Sequence, residues 1–180
     1  MAAQQDEDAC APAEATLRVQ PRGESHRRAL SILMGCPVAG PRALATEWGR
    51  PREDTTDLQL LGDASARLTD RRLLQALRGV ALDASRDRQV RLTAIRALVG
   101  QFDPSLEVVY RKPWHPELGG SEYVMIGRYV HPSGRAGAES FSASERDEVL
   151  DVLRQLKTSD SDEVIQKVAS YLLERLEAMK

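Results

Sequence analysis

Apolar residues recur every three or four positions along most of the chain, a spacing that predicts amphipathic helices. The clearest covers residues 85–100, where Val90, Ala94, Ile95 and Leu98 share one side, Asp87 supplies an acidic start, and Gly100 reads as a C-terminal stop. The same spacing returns twice. Ala29-Leu30, Leu33 and Gly35 lie 65 residues before Ala94-Ile95, Leu98 and Gly100, and Val164, Val168-Ala169 and Leu172 repeat Val90, Ala94-Ile95 and Leu98. A weaker copy spans residues 54–68, with Leu58, Leu61, Ala64 and Leu68 on one side. Each of these inner helices follows a second helical pattern, at residues 12–19, 41–48, 70–83 and 144–157. Ser142 with Glu145, and Asp160 with Glu163, have the spacing of capping boxes. Neither helix of such a pair hides its apolar stripe alone, so pair must stack on pair.

Between Gly100 and Ser142 the helical period fails for about 40 residues, where an ordinary connection holds about 5. Residues 106–112 and 122–130 are β-branched and aromatic, bounded by Asp103-Pro104, Pro113 and His131-Pro132, and they predict two strands of a hairpin. The insertion, at about 103–141, carries Tyr110, Tyr123, Tyr129, Trp114, His115 and His131. Large, stiff, amphipathic side chains cover binding surfaces at low entropic cost. Trp114, His115, Tyr123 and Tyr129 are therefore the candidate partner contacts, with Trp114, between Pro113 and Pro116, at the exposed tip. The competing reading packs the tyrosines against the helices.

The stretch Asp87-Arg88-Gln89-Val90-Arg91-Leu92-Thr93-Ala94-Ile95-Arg96-Ala97-Leu98 resembles the second helix of a HEAT repeat, including the short bacterial HEAT-like repeats. The resemblance implies a mainly α fold: a short α-solenoid of about four helix pairs spanning residues 12–180, with residues 1–11 an N-terminal extension and the hairpin inserted before the last pair. In that family an acid at the turn and an arginine in the second helix knit neighbouring repeats together, and Asp87 and Arg91 match those positions. Fold is implied more firmly than activity. The expected role is a non-enzymatic protein-interaction scaffold with an unidentified protein partner; the alternative is a small HEAT-like enzyme of the lyase or DNA-processing type. A structural, self-associating subunit is a third reading.

Charge changes this picture little. Of the 25 bases, 17 fall within residues 18–112 against 11 acids, yet they are mostly arginines scattered among acids, the pattern of a solvated helix surface and not of a nucleic-acid track. No apolar run approaches the roughly 20 residues of a membrane helix. A phosphate loop, a Cys pair at two-residue spacing and a His pair on one helix face are all missing, so no catalytic residue, metal or cofactor is expected. His115, Glu117, Glu122 and His131 read as isolated surface groups.

The two cysteines carry a sharper expectation. Cys10 lies 12 residues before Arg22, and Cys36 lies 13 after Gly23. About a turn at Arg22-Gly23 the two arms match, and an antiparallel hairpin brings the cysteines within disulfide reach. A bridge would fasten a first helix of only about two turns and would imply an oxidising compartment, with an exported chain whose leader has been trimmed ahead of Met1; two buried thiols would imply the cytoplasm. Oligomeric state is left open.

Overall fold

A computed structural model describes residues 2–19, 22–51, 57–102, 106–111, 123–128 and 142–178. Among them are eight helices: α1 (Ala2–Val19), α2 (Glu24–Leu33), α3 (Ala39–Gly49), α4 (Leu58–Arg67), α5 (Arg71–Leu82), α6 (Arg88–Phe102), α7 (Ala143–Ser159) and α8 (Glu163–Glu177). Two strands, β1 (Leu106–Arg111) and β2 (Tyr123–Arg128), pair antiparallel, from Leu106 opposite Arg128 to Arg111 opposite Tyr123.

The helices alternate between two layers. In one, α1 packs on α3, α3 on α5 and α5 on α7; in the other, α2 packs on α4, α4 on α6 and α6 on α8. Partners within a pair, α1 with α2, α5 with α6 and α7 with α8, close the layers on each other. The apolar stripes meet between the layers. Leu30 and Leu33 of α2, Leu61 and Ala64 of α4, Leu73 and Leu77 of α5, Ile95 and Leu98 of α6, and Ile165 and Leu172 of α8 all belong to one buried core. The second pair is the loosest, since α3 lies more on α5, and α4 more on α6, than on each other. A polar thread ties it in. Trp48 Nε1 donates to Ser65 Oγ (2.8 Å), Ser65 Oγ to the Leu61 carbonyl (2.8 Å), and Gln101 Nε2 to the Ser65 carbonyl (3.2 Å).

Helix ends follow local chemistry. Asp70 caps α5, accepting from the amides of Arg72 and Leu73, and Ser142 with Glu145 closes the expected capping box on α7. The amide and hydroxyl of Ser142 hold the Glu145 carboxyl below its ordinary range, against the opposing effect of burial. Gly23 turns the chain between α1 and α2 with φ of 95°, a region closed to most side chains.

Three boundaries depart from the sequence reading. Helix α1 begins at Ala2 and runs through Pro12, so Cys10 lies inside it and it has 18 residues instead of two turns. Proline favours the first turn because its missing N–H costs nothing there; here Cys10, Ala13 and Leu17 keep one buried face across it, and that burial outweighs one lost backbone bond. At the end of α6, Gly100 is not a stop, for the helix continues to Phe102. A Cβ at Gly100 would lie 2.8 Å from the Ala66 Cβ, so the glycine serves the close approach of α4 and α6. The cap of α8 is Asp162, which accepts from the amides of Val164 and Ile165, and not Asp160, whose carboxylate is taken by another helix.

Gly40, in the first turn of α3, marks another close approach, where a Cβ would collide with the Leu33 carbonyl oxygen and lie 2.8 Å from Leu68 Cδ1. A backbone oxygen cannot rotate away. Gly40→Ala is expected to cost about 1–3 kcal/mol by overpacking, read as a lower thermal midpoint, whereas Gly79→Ala, with open space at its Cβ, is expected to be neutral or stabilising.

Candidate functional site

The buried polar chemistry of the described residues is concentrated where one helix pair meets the next. At the last junction, Arg91 of α6 is buried and its guanidinium spans two structures. Nε donates to the Ala81 carbonyl near the end of α5 (3.1 Å), while Nη1 and Nη2 grip the two oxygens of Asp160, just before α8. One turn earlier Arg88 Nε donates to Asp162 (2.6 Å). Burial pushes the Asp162 carboxyl up, but the Arg88 bond and the amides of Val164 and Ile165 together outweigh it and hold it below its ordinary range. The two arginines thus fasten the α7–α8 turn to the start of α6.

The first junction has the same design in other residues. His26 of α2 is fully buried, and its ring lies between two carboxylates. Nδ1 is 2.8 Å from Asp57 Oδ2, at the cap of α4, and Nε2 is 3.3 Å from Glu47 Oε1 on α3. Both carboxylates are themselves buried, at 3% exposure for Glu47 and 8% for Asp57. Arg50 Nη1 lies 3.0 Å from Glu47 Oε2, and Arg27 Nη1 lies 3.8 Å from Asp57 Oδ1. The ring has no solvent contact, and what it does here is join α2 to α3 and to the cap of α4.

Arginines also close the ends of the first-layer helices. Arg50 donates to the carbonyls of Leu17 (2.8 Å) and Arg18 at the end of α1, and Arg86 donates to those of Arg50 (2.8 Å) and Gly49 at the end of α3. Each places a cation against the negative pole of the helix before it. Glu14 of α1 is held by Arg42 of α3, whose hydrogen bond is the main reason its carboxyl titrates below the ordinary range, with Arg18 adding to the effect.

Cys10 and Cys36 are joined as a disulfide, with Cα atoms 5.9 Å apart, linking the middle of α1 to the segment after α2. Asp87 and Arg91 act separately. Asp87 accepts from the Gln89 amide (2.7 Å) at the start of α6, while Arg91 reaches across to Asp160. Tyr123 opens β2, opposite Arg111; Trp114, His115 and Tyr129 lie outside the described residues. Periodicity passed over His26, Glu47 and Asp57. A signal was nonetheless available: the 65-residue offset that aligns Ala29 with Ala94 puts His26 on the position of Arg91. No group of His, Cys, Asp and Glu among the described residues converges as a metal site, and no helix among them is long and apolar enough to cross a membrane.

Fold and polar junctions together define a mainly α protein of two helical layers, stitched pair to pair by buried acid–base contacts. Compared with known proteins, the chain matches no family model, no curated protein and no solved structure.

Proposed function

We propose that this chain is a short α-solenoid of four HEAT-like helix pairs with a β-hairpin inserted before the last, acting as a non-enzymatic protein-interaction module. The observation that carries the reading is the repeated junction. His26 and Arg91, 65 residues apart in equivalent register, each bind an acid that precedes the second helix of the following pair, Asp57 before α4 and Asp160 before α8. Alternation of the helices between two layers supports the same reading. The buried polar side chains at the junctions are used on one another, which suits a rigid frame carrying a binding element. That element is the insertion with Trp114, His115, Tyr123 and Tyr129. The Cys10–Cys36 bridge supports an oxidising compartment.

The test combines capture with a spectroscopic report. In a Trp48→Phe background Trp114 is the sole tryptophan, and binding of a captured protein is expected to shift its emission. Deleting residues 114–121 is expected to abolish capture from a native lysate while leaving the helical circular dichroism intact. Unchanged capture by the deletion would remove the insertion from the mechanism, and salt-steep binding to DNA, or bilin transfer, would favour an enzyme instead.

A further inference from the structure

The two equivalent junctions differ in one respect that matters to protons. At the last, the base is Arg91, whose guanidinium stays charged at all accessible pH. At the first, the same register position holds His26, the side chain that gains and loses a proton most readily near neutrality. Its two ring nitrogens face two buried carboxylates on different elements. Ionised carboxylates only accept, so both contacts are hydrogen bonds only when both ring nitrogens carry hydrogen, that is, when the ring is an imidazolium. A neutral ring turns one lone pair toward a buried carboxylate and loses one bond. If one carboxyl held the proton instead, it would donate to the bare nitrogen of a neutral ring, an arrangement that ring spectra tell apart from the imidazolium.

The surroundings leave this bridge little slack. Helix α2 packs against α1, α3 and α4. Among the described residues, α3 brings Glu47 with Arg50 behind it, the α4 cap brings Asp57, and α2 itself brings Arg27. The buried carboxylate of α1, Glu14, is already taken by Arg18 and Arg42. Asp57 Oδ1 is buried without a hydrogen bond and faces Arg27 Nη1 at the longer distance of 3.8 Å, so among the described residues the ring supplies the side-chain hydrogen bond of this carboxylate.

We infer that the first junction is a proton-dependent latch: His26 as imidazolium clamps Glu47 and Asp57 and locks α2 to α3 and α4, and loss of that proton loosens this junction while the Arg91–Asp160 junction holds. The inference goes beyond the proposed interaction role and does not require it.

The experiment uses the full chain with His115→Gln and His131→Gln, which leaves His26 the only imidazole. Ring nitrogen–proton correlation spectra of the closed junction are expected to show both nitrogens protonated; a neutral tautomer at every pH at which the chain is folded would overturn the inference. Amide exchange, corrected for its intrinsic pH dependence, is then followed as the pH is raised through the loss of the ring proton. Protection across α2, α3 and α4 is expected to fall about ten- to a hundredfold, the worth of one charge-assisted bond, with α7 and α8 as the internal reference. Equal change at both junctions, or none at the first, would overturn the latch. His26→Gln is expected to abolish the differential response; should that variant not fold, the spectra and exchange of the parent decide alone.

Discussion

Arg91→Leu is expected to destabilise the fold by about 3–5 kcal/mol, the cost of leaving a buried charge without its partner. The side chains of Arg91 and Asp160 are 3% and 5% exposed, so water cannot replace the lost guanidinium. The Ala81 carbonyl loses its donor as well. Adding Asp160→Asn to the leucine variant removes the orphaned charge while keeping an oxygen for the Asp162 amide, which Asp160 Oδ1 accepts at 2.9 Å. The double variant is therefore expected to recover most of the loss. Urea midpoints of the four chains form the cycle that checks this. If the single and double variants were equally destabilised, the pair would be contributing packing and not charge compensation. By contrast, Arg154 is half exposed beside exposed Asp151 and Glu177, and its removal is expected to change stability by less than about 1 kcal/mol.

Opening the Cys10–Cys36 bridge is the second large effect. A closed loop of 26 residues restrains the unfolded chain by about 3.5 kcal/mol in the chain-entropy description. The double variant Cys10→Ala/Cys36→Ala, or full reduction of the natural chain, is expected to lower stability by about 2–4 kcal/mol, and the two should agree. The loss is expected to be local first. Helix α1 would then be held by Ala13 and Leu17 in the core, Glu14 on Arg42, and the Arg50 bonds to its last carbonyls, so limited proteolysis should cut within α1 before any other helix. Resistance of α1 equal to that of α5 in the reduced chain would show that packing alone secures it.

Most of the helices were legible because burial of an apolar stripe imposes its period on the residues, as at Leu73, Leu77 and Val80 of α5 or Val149, Leu153 and Leu156 of α7. Caps were legible where the chemistry is local. Ser142 with Glu145 needed only residues within four positions. The start of α1 was missed because Pro12 obeys a local preference that the burial of Cys10 overrides. Gly100 was misread because its reason is Ala66, a residue far away in sequence. The cap of α8 was misplaced by two residues because Asp160 answers to Arg91 on another helix.

Period, caps and cysteine spacing are short-range properties, written in residues a few positions apart, and they sufficed for the helix content, the candidate bridge and the pairing of α1 with α2, α5 with α6 and α7 with α8, though not for α3 and α4, which lie more on α5 and α6. The partners of buried charges are long-range. His26 finds Glu47 and Asp57 at separations of 21 and 31 residues, and Arg91 finds Asp160 at 69. No local pattern selects among the chain's 27 acids, because a carboxylate becomes a partner only when stacking removes both groups from water and leaves them no other. Folding in three dimensions made that choice, and with it the difference between a junction held by a guanidinium and one held by an imidazole.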